Sequence, residues 1–154
     1  MDVKTGLGAI RSMDYVILLC DDIEGMKRFY RDGLGFEIED EAPGIWVGFR
    51  VGNLYLGLRP RGRRYDGRPI PASSAGVQLS FRLAPADVDA AFEELARKGI
   101  DVIEGPTNQD WPHRTMFLHD PESNIIEIYA DIHPRETMAD PSGVHAQIDR
   151  RTVE

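Results

Sequence analysis

The sequence predicts an α+β fold built from two βαβββ modules. First, one pattern occurs twice: a strand-like run, an acidic residue, an amphipathic helix and a glycine stop. It covers Tyr15–Cys20, Asp22, residues 24–32 and Gly33, and returns at residues 77–83, Asp87, residues 88–97 and Gly99. Second, each copy continues into short apolar segments separated by turn residues, the pattern expected of strands. Third, each helical segment carries a single apolar stripe, so each must bury one face against something else.

The elements follow in order. Residues 15–20, Tyr-Val-Ile-Leu-Leu-Cys, are apolar and β-branched, and read as a strand. Asp21 and Asp22 then offer a side-chain cap to the free N–H groups of a first helical turn. Ile23, Met26, Phe29 and Tyr30 form the stripe of that helix, and Gly33 and Gly35 stop it. Extended segments are expected over residues 36–39, 45–50 and 54–59, with Val51-Gly52-Asn53 as a hairpin turn. In the second copy Val88, Ala91, Phe92 and Leu95 form the helix stripe. Residues 101–104 read as extended, and Gly105-Pro106 opens a loop that runs through Trp111-Pro112. Two further strands, 115–119 and 125–130, are joined by the polar turn Asp120-Pro-Glu-Ser-Asn124. The organisation is thus an extension at 1–12, a first module at 13–60, a Gly/Pro/Arg/Ser-rich linker at 61–75, a second module at 76–131 and a polar tail at 132–154.

Composition narrows the function classes. The net charge of -8, from 26 acidic and 18 basic residues, argues against a nucleic-acid partner, which calls for a basic surface. No apolar run reaches the length of a bilayer span, so no membrane partner is expected. Residues 1–12 lack the apolar centre of a secretion signal, and Cys20 is the single cysteine, so a cytoplasmic location is the expectation.

Two segments resemble the vicinal oxygen chelate superfamily, which includes glyoxalase I, bleomycin-resistance proteins, fosfomycin-resistance enzymes and extradiol dioxygenases. Asp22-Ile-Glu-Gly-Met-Lys-Arg-Phe-Tyr-Arg-Asp-Gly-Leu-Gly-Phe36 is similar to that family's first-helix pattern, an Asp and a hydrophobic residue followed by F-Y-x-x-x-L-G-F. Phe117-Leu-His-Asp-Pro-Glu-Ser-Asn-Ile-Ile-Glu127 is similar to its F-x-D-P-x-G-N-x-I-E, with Ser123 where Gly is usual. The resemblance spans roughly residues 13–131. It implies that the two modules form a cup-shaped mixed sheet with helices outside, that ligands enter the cup, and that the protein is a homodimer. The family's metal-ligand positions fall on Tyr15, Gly57, Gln78 and Glu127, and only Glu127 matches the usual residue types. A divalent cation needs three or four N or O donors at about 2.0–2.2 Å. Gly57 has no side chain, and a phenol such as Tyr15 ionises only near pH 10. The expected cofactor is therefore none, with a divalent metal kept open for an enzymatic alternative.

Strand alternation then gives the remaining candidates. Tyr55 and Arg59 accompany Gly57, Ser80 and Arg82 accompany Gln78, and Thr115 and Phe117 take the same side by family register. The opposite faces are almost wholly apolar. A face mixing aromatic, polar and charged groups suits a small-molecule ligand, anionic or aromatic. Glu127 would pair with Arg59, Arg82 or Tyr15 in a structural role, would serve as a general base, or would be solvated and without a role. Trp46, Trp111 and His113 fall on or near loops, where aromatics stack on planar ligands or simply pack. Arg59, Arg61, Arg63, Arg64 and Arg68 form either a solvated loop or an anion trap. Two functions stay open. One is a metal-free binding module similar to bleomycin-resistance proteins, with Gly57 opening room for the ligand. The other is a lyase, isomerase or epimerase using Glu127 as base.

Overall fold

The computed structural model describes residues 3, 5–68, 71 and 74–132. The tail from residue 133 on, with His133 and His145, lies outside the described residues. The chain divides into two compact units, Met1–Asp66 and Gly67–Glu154, each holding one four-stranded mixed sheet.

In the first unit a short 3₁₀ turn (Gly6–Ala9) precedes β1 (Tyr15–Cys20). The Asp22 carboxylate accepts the Gly25 N–H at 3.0 Å and so caps α1 (Ile23–Arg28), as its position in the sequence suggests. The helix does not end there. It widens into a π-helical turn (Phe29–Gly33), with the Leu34 N–H donating to the Phe29 carbonyl at 3.0 Å. Tyr30 lies on the buried side with Ile23 and Met26. Strands β2 (Glu37–Ala42), β3 (Trp46–Val51) and β4 (Leu54–Pro60) follow, and the sheet order is β1-β4-β3-β2, with β1 parallel to β4. Leu18, Cys20, Ile23, Met26, Tyr30, Val47, Phe49, Leu56 and Leu58 form the core between helix and sheet. Leu54 departs from the apolar-face expectation: as the first residue of β4, beside the turn, it is exposed.

The second unit repeats the topology as β5 (Gln78–Arg82), α2 (Pro85–Arg97), β6 (Glu104–Asn108), β7 (His113–His119) and β8 (Ile125–Asp131), in the order β5-β8-β7-β6. Helix α2 starts with Pro85 in its first turn, where a missing N–H costs nothing, and lies against β6, β7 and β8. Its Asp89 takes a bidentate ion pair from Arg114 of β7 (2.7 and 2.9 Å), which ties helix to sheet. The sequence pattern predicts an extended piece at 101–104 and a loop from Gly105. The strand instead runs from Glu104 to Asn108 through Gly105-Pro106. Pro is tolerated there because β6 is the sheet edge and its register slips between Glu104 and Thr107. Val88, Leu95, Met116, Leu118, Ile126, Ile128 and Ala130 form the core.

The turn joining β7 to β8 is tied by one buried carboxylate. Asp120 Oδ1 accepts the backbone N–H groups of Glu122 and Asn124 (2.9 and 3.0 Å), and Oδ2 accepts Asn124 Nδ2 at 2.8 Å. Ser123 sits at φ +68°, the only described non-glycine residue with positive φ. An L side chain pays about 1 kcal/mol in that region. Ser123→Gly is therefore expected to raise stability by about 0.5–1 kcal/mol, read from urea denaturation midpoints. A loss of stability would show that the Ser123 side chain outweighs its backbone cost.

No helix among the described residues is long and apolar enough to cross a membrane.

Candidate functional site

In each unit the helix covers one sheet face, and the other face carries the candidate residues. The second unit holds the more polar of the two. Glu127 sits in the middle of β8, half-buried, in register with Ser80 on one side and Phe117 on the other. The Ser80 hydroxyl donates a short hydrogen bond to Glu127 Oε2. The partners expected from the sequence are engaged elsewhere. Arg82 donates to the Tyr129 hydroxyl at 3.1 Å and pairs with Asp131 at 3.2 Å, and Arg59 pairs with Asp66. Tyr15 makes its ring contact with Tyr55. Ser80 was legible as a face neighbour of Gln78, yet a neutral hydroxyl gave no signal against three more strongly interacting candidates.

Next to Glu127 along β8, the Tyr129 ring stacks on His113 (centroids 4.5 Å, interplanar 29°) and lies under the Arg82 guanidinium at 5.4 Å. His113 Nε2 and Arg82 hold the two oxygens of the same Asp131 carboxylate, each at 3.2 Å. His113 is the first residue of β7, next to the loop. Trp111 remains in the β6–β7 loop, half-buried, with its carbonyl accepting the His113 N–H. Gln78 is exposed at the start of β5, and Phe117 is half-buried opposite Glu104. Thr115 faces the expected side but is fully buried, and its hydroxyl accepts from Gln109 Nε2 at 2.7 Å. That Gln109 also donates to Glu104 at 3.1 Å, an interaction across the loop that no sequence spacing announces.

In the first unit Gly57 of β4 faces Gly48 of β3. A glycine at 57 is expected to open room for a ligand. Instead the room is taken: a Cβ at position 57 would lie 2.4 Å from the six-membered ring of Trp46. Trp46, expected on or near a loop, is the first residue of β3, and its indole lies down over Gly57. Its Nε1–H donates to the Tyr55 hydroxyl at 3.0 Å, and that hydroxyl donates a short bond to Asp40. Burial first, then the bond to Asp40, pushes the Tyr55 phenol above its ordinary pKa, so it stays protonated and donating.

Arg59 is nearly buried and makes a bidentate pair with Asp66 (2.5 and 3.0 Å). Residues 61–66, read from sequence as the start of a linker, fold back on this unit through that pair. Arg61 bonds Asp21 and the Leu19 carbonyl, and Arg63 bonds the Tyr65 hydroxyl. Arg59 is therefore not available as an anion trap. The Arg59 guanidinium, aided by the Gly62 and Arg63 N–H groups and opposed by desolvation, holds the Asp66 carboxyl far below its ordinary range. A depressed folded-state pKa stabilises the fold above the unfolded value, near 4, and the contribution is lost as pH falls below it. Acid titration of the thermal midpoint should therefore show a loss below pH ~4 that Asp66→Asn flattens. An unchanged acid limb would remove the pair from the stability account.

Two of the four positions that the resemblance assigns to metal ligands can be described from the contacts of their own units. Gly57 supplies no donor and its space holds an indole, and Glu127 accepts from Ser80 through Oε2. Among the described residues no three His, Cys, Asp or Glu side chains come together.

Comparison with known proteins agrees with this architecture. A family model described as Glyoxalase/Bleomycin resistance protein/Dioxygenase superfamily matches residues 12–128. The uncharacterized protein YraH of Bacillus subtilis is 29% identical over 120 residues, covering 73% of this chain and 92% of that protein. A glyoxalase/bleomycin resistance protein/dioxygenase from Nocardioides superposes with a TM-score of 0.68 at 23% identity, covering 81% of this chain and 86% of that one. A lactoylglutathione lyase from Agrobacterium tumefaciens superposes with a TM-score of 0.62 at 27% identity, covering 77% and 92%.

Proposed function

The chain belongs to the Glyoxalase/Bleomycin resistance protein/Dioxygenase superfamily, and from that premise we propose that it binds a small organic molecule against the open face of its second unit, without a resident divalent cation. One observation carries this reading. Glu127 presents a half-buried carboxylate between Ser80 and Phe117, and no cationic side chain among the described residues pairs with it. A partly desolvated carboxylate beside an aromatic ring is a placed polar group on an apolar wall, the composition of a small-molecule site. Ligands found by thermal-shift screening should lose at least half their stabilising shift in Phe117→Ala or Trp111→Ala. If neither change alters the shift, the second-unit face is not the site.

The second reading is a lyase, isomerase or epimerase with Glu127 as general base. Its support is geometric: Ser80 engages Oε2, which leaves Oε1 to take a proton from a substrate carbon or hydroxyl. Glu127→Gln is then expected to lower turnover by about 10²–10⁴-fold while changing ligand affinity little. Unchanged turnover in that variant would dismiss Glu127 as base. The resemblance also carries a homodimer into this proposal, and the composition carries a cytoplasmic setting; sedimentation of the purified protein reads the first of these directly.

A further inference from the structure

We propose that the chain beyond Ile132 folds back over the open face of the second unit and sets Arg150 and Arg151 against Glu104 and Glu127, as an intramolecular strap. Phe117 shows what the face calls for. Its register partners are Glu104 on β6 and Glu127 on β8, so one half-buried ring lies between two carboxylates on one sheet face. Neighbouring strands lie about 4.8 Å apart, which puts positions 104 and 127 roughly 10 Å apart across the ring. Both carboxylates accept from neutral groups: the Ser80 hydroxyl donates to Glu127, and the Gln109 amide donates to Glu104 at 3.1 Å. Neither meets a cationic side chain among the described residues. The arginines of this sheet are engaged elsewhere, Arg82 with Asp131 and Arg114 with Asp89. Two carboxylates with only neutral donors, one of them half-buried, select guanidinium groups as the strongest partners for the face.

The chain itself supplies them. Residues 133–154 include the adjacent pair Arg150-Arg151, preceded by the apolar Val144 and Ile148. The chain leaves the second unit at a fixed point. Asp131 is held by His113 and Arg82, and the Ile132 N–H donates to the Pro112 carbonyl at 3.1 Å. That point borders the same face, because Asp131 alternates with Tyr129 and Glu127 along β8. The chain from residue 132 to residue 150 can span up to ~60 Å, against the ~17 Å that separates residues 132 and 127 along an extended strand. Pro134 cannot extend the β8 ladder, and Pro141-Ser142-Gly143 is a turn sequence that lets the chain double back. In an extended segment adjacent side chains leave in opposite directions, a spread that suits two carboxylates on either side of a ring.

Tethering favours this occupant over a free cation of the same chemistry, since a linked segment meets its site at an effective concentration on the order of mM. The family model ends at residue 128, and the Agrobacterium lyase is matched over 92% of its length by 77% of this chain, so the strap is an addition to the shared fold. It covers the surface assigned above to a small molecule. As regulation it rests on that reading; as a docked segment it does not.

The test places a nitroxide spin label on Ser142→Cys in the full chain, where Cys20 at 1% exposure stays unlabelled, and reads paramagnetic relaxation at backbone amides. The enhancement at Phe117 and Glu127 is expected to exceed that at Ala90 and Glu93, exposed on the far side of α2, at least fivefold. Reversing the charges with Arg150→Glu and Arg151→Glu together should cut the enhancement at Phe117 at least threefold. Equal enhancement on both sides of the unit, or enhancement unmoved by the charge reversal, would overturn the proposal. So would enhancement passed from a spin-labelled chain to an isotope-labelled second chain, which would give the tail to another copy. Compounds that the Phe117→Ala screen assigns to this face should give at least twice the thermal shift in the charge-reversed variant, and equal shifts would overturn the regulatory role. The relaxation readout needs no ligand and the screen needs no tail, so either reading fails alone.

Discussion

Tyr30→Ala is expected to cost about 3–5 kcal/mol of stability, the range for removing a fully buried large aromatic. Tyr30 has no exposed surface, and its ring sits among Phe29 (5.1 Å), Phe36 (6.0 Å) and Phe49 (6.2 Å). These rings come from the helix, the segment after it and β3, so one side chain joins three pieces of the first unit. The rigid backbone of the π-helical turn and sheet prevents collapse into the space, which puts the cost toward the upper end. Tyr30→Phe keeps the ring contacts and should retain most of the stability, with a loss of about 1 kcal/mol for the hydroxyl. Urea denaturation followed by near-UV and far-UV dichroism separates the two variants. A loss under about 1 kcal/mol in Tyr30→Ala would mean that the aromatic cluster does not hold the first unit.

Asp120→Ala should cost about 3 kcal/mol. Three donors lose their acceptor in a turn where Asp120 and Asn124 are both buried, and each unsatisfied buried donor costs about 1–3 kcal/mol, reduced where water enters. Asp120→Asn keeps an acceptor for the two backbone N–H groups but turns an amide toward Asn124 Nδ2, so an intermediate loss is expected. The turn also sets the β7–β8 register that places Phe117 beside Glu127. A ligand-induced thermal shift should therefore shrink in the alanine variant even below its lowered midpoint. Stability equal to wild type would show that solvent replaces the carboxylate.

These two residues explain why the fold was legible and the function was not. Tyr30 and Asp120 lie in the two segments that carry the family resemblance, and both turn out to be structural: one fills a core, the other ties a turn. The same holds for Asp22, whose carboxylate caps α1, and for Ser123, which occupies the left-handed position where the family uses Gly. Local rules name such residues because their partners lie within a few positions in the chain. The strand that was misplaced, Glu104–Asn108, is a sheet border where an irregular register overrides the local reading of Gly and Pro.

From the sequence alone came the two-module fold, the helix stripes and the assignment of alternate residues to two sheet faces. All three rest on periodicities of 3.6 and 2 that a short window contains. Tertiary structure alone decided who meets whom on the open faces: Arg59 with Asp66, Arg82 with Asp131, Glu127 with Ser80, and Trp46 over Gly57. Several candidates of equal chemistry competed for each of those places. A hydrogen bond or ion pair forms only within about 3 Å, so loop path and strand register made the choice.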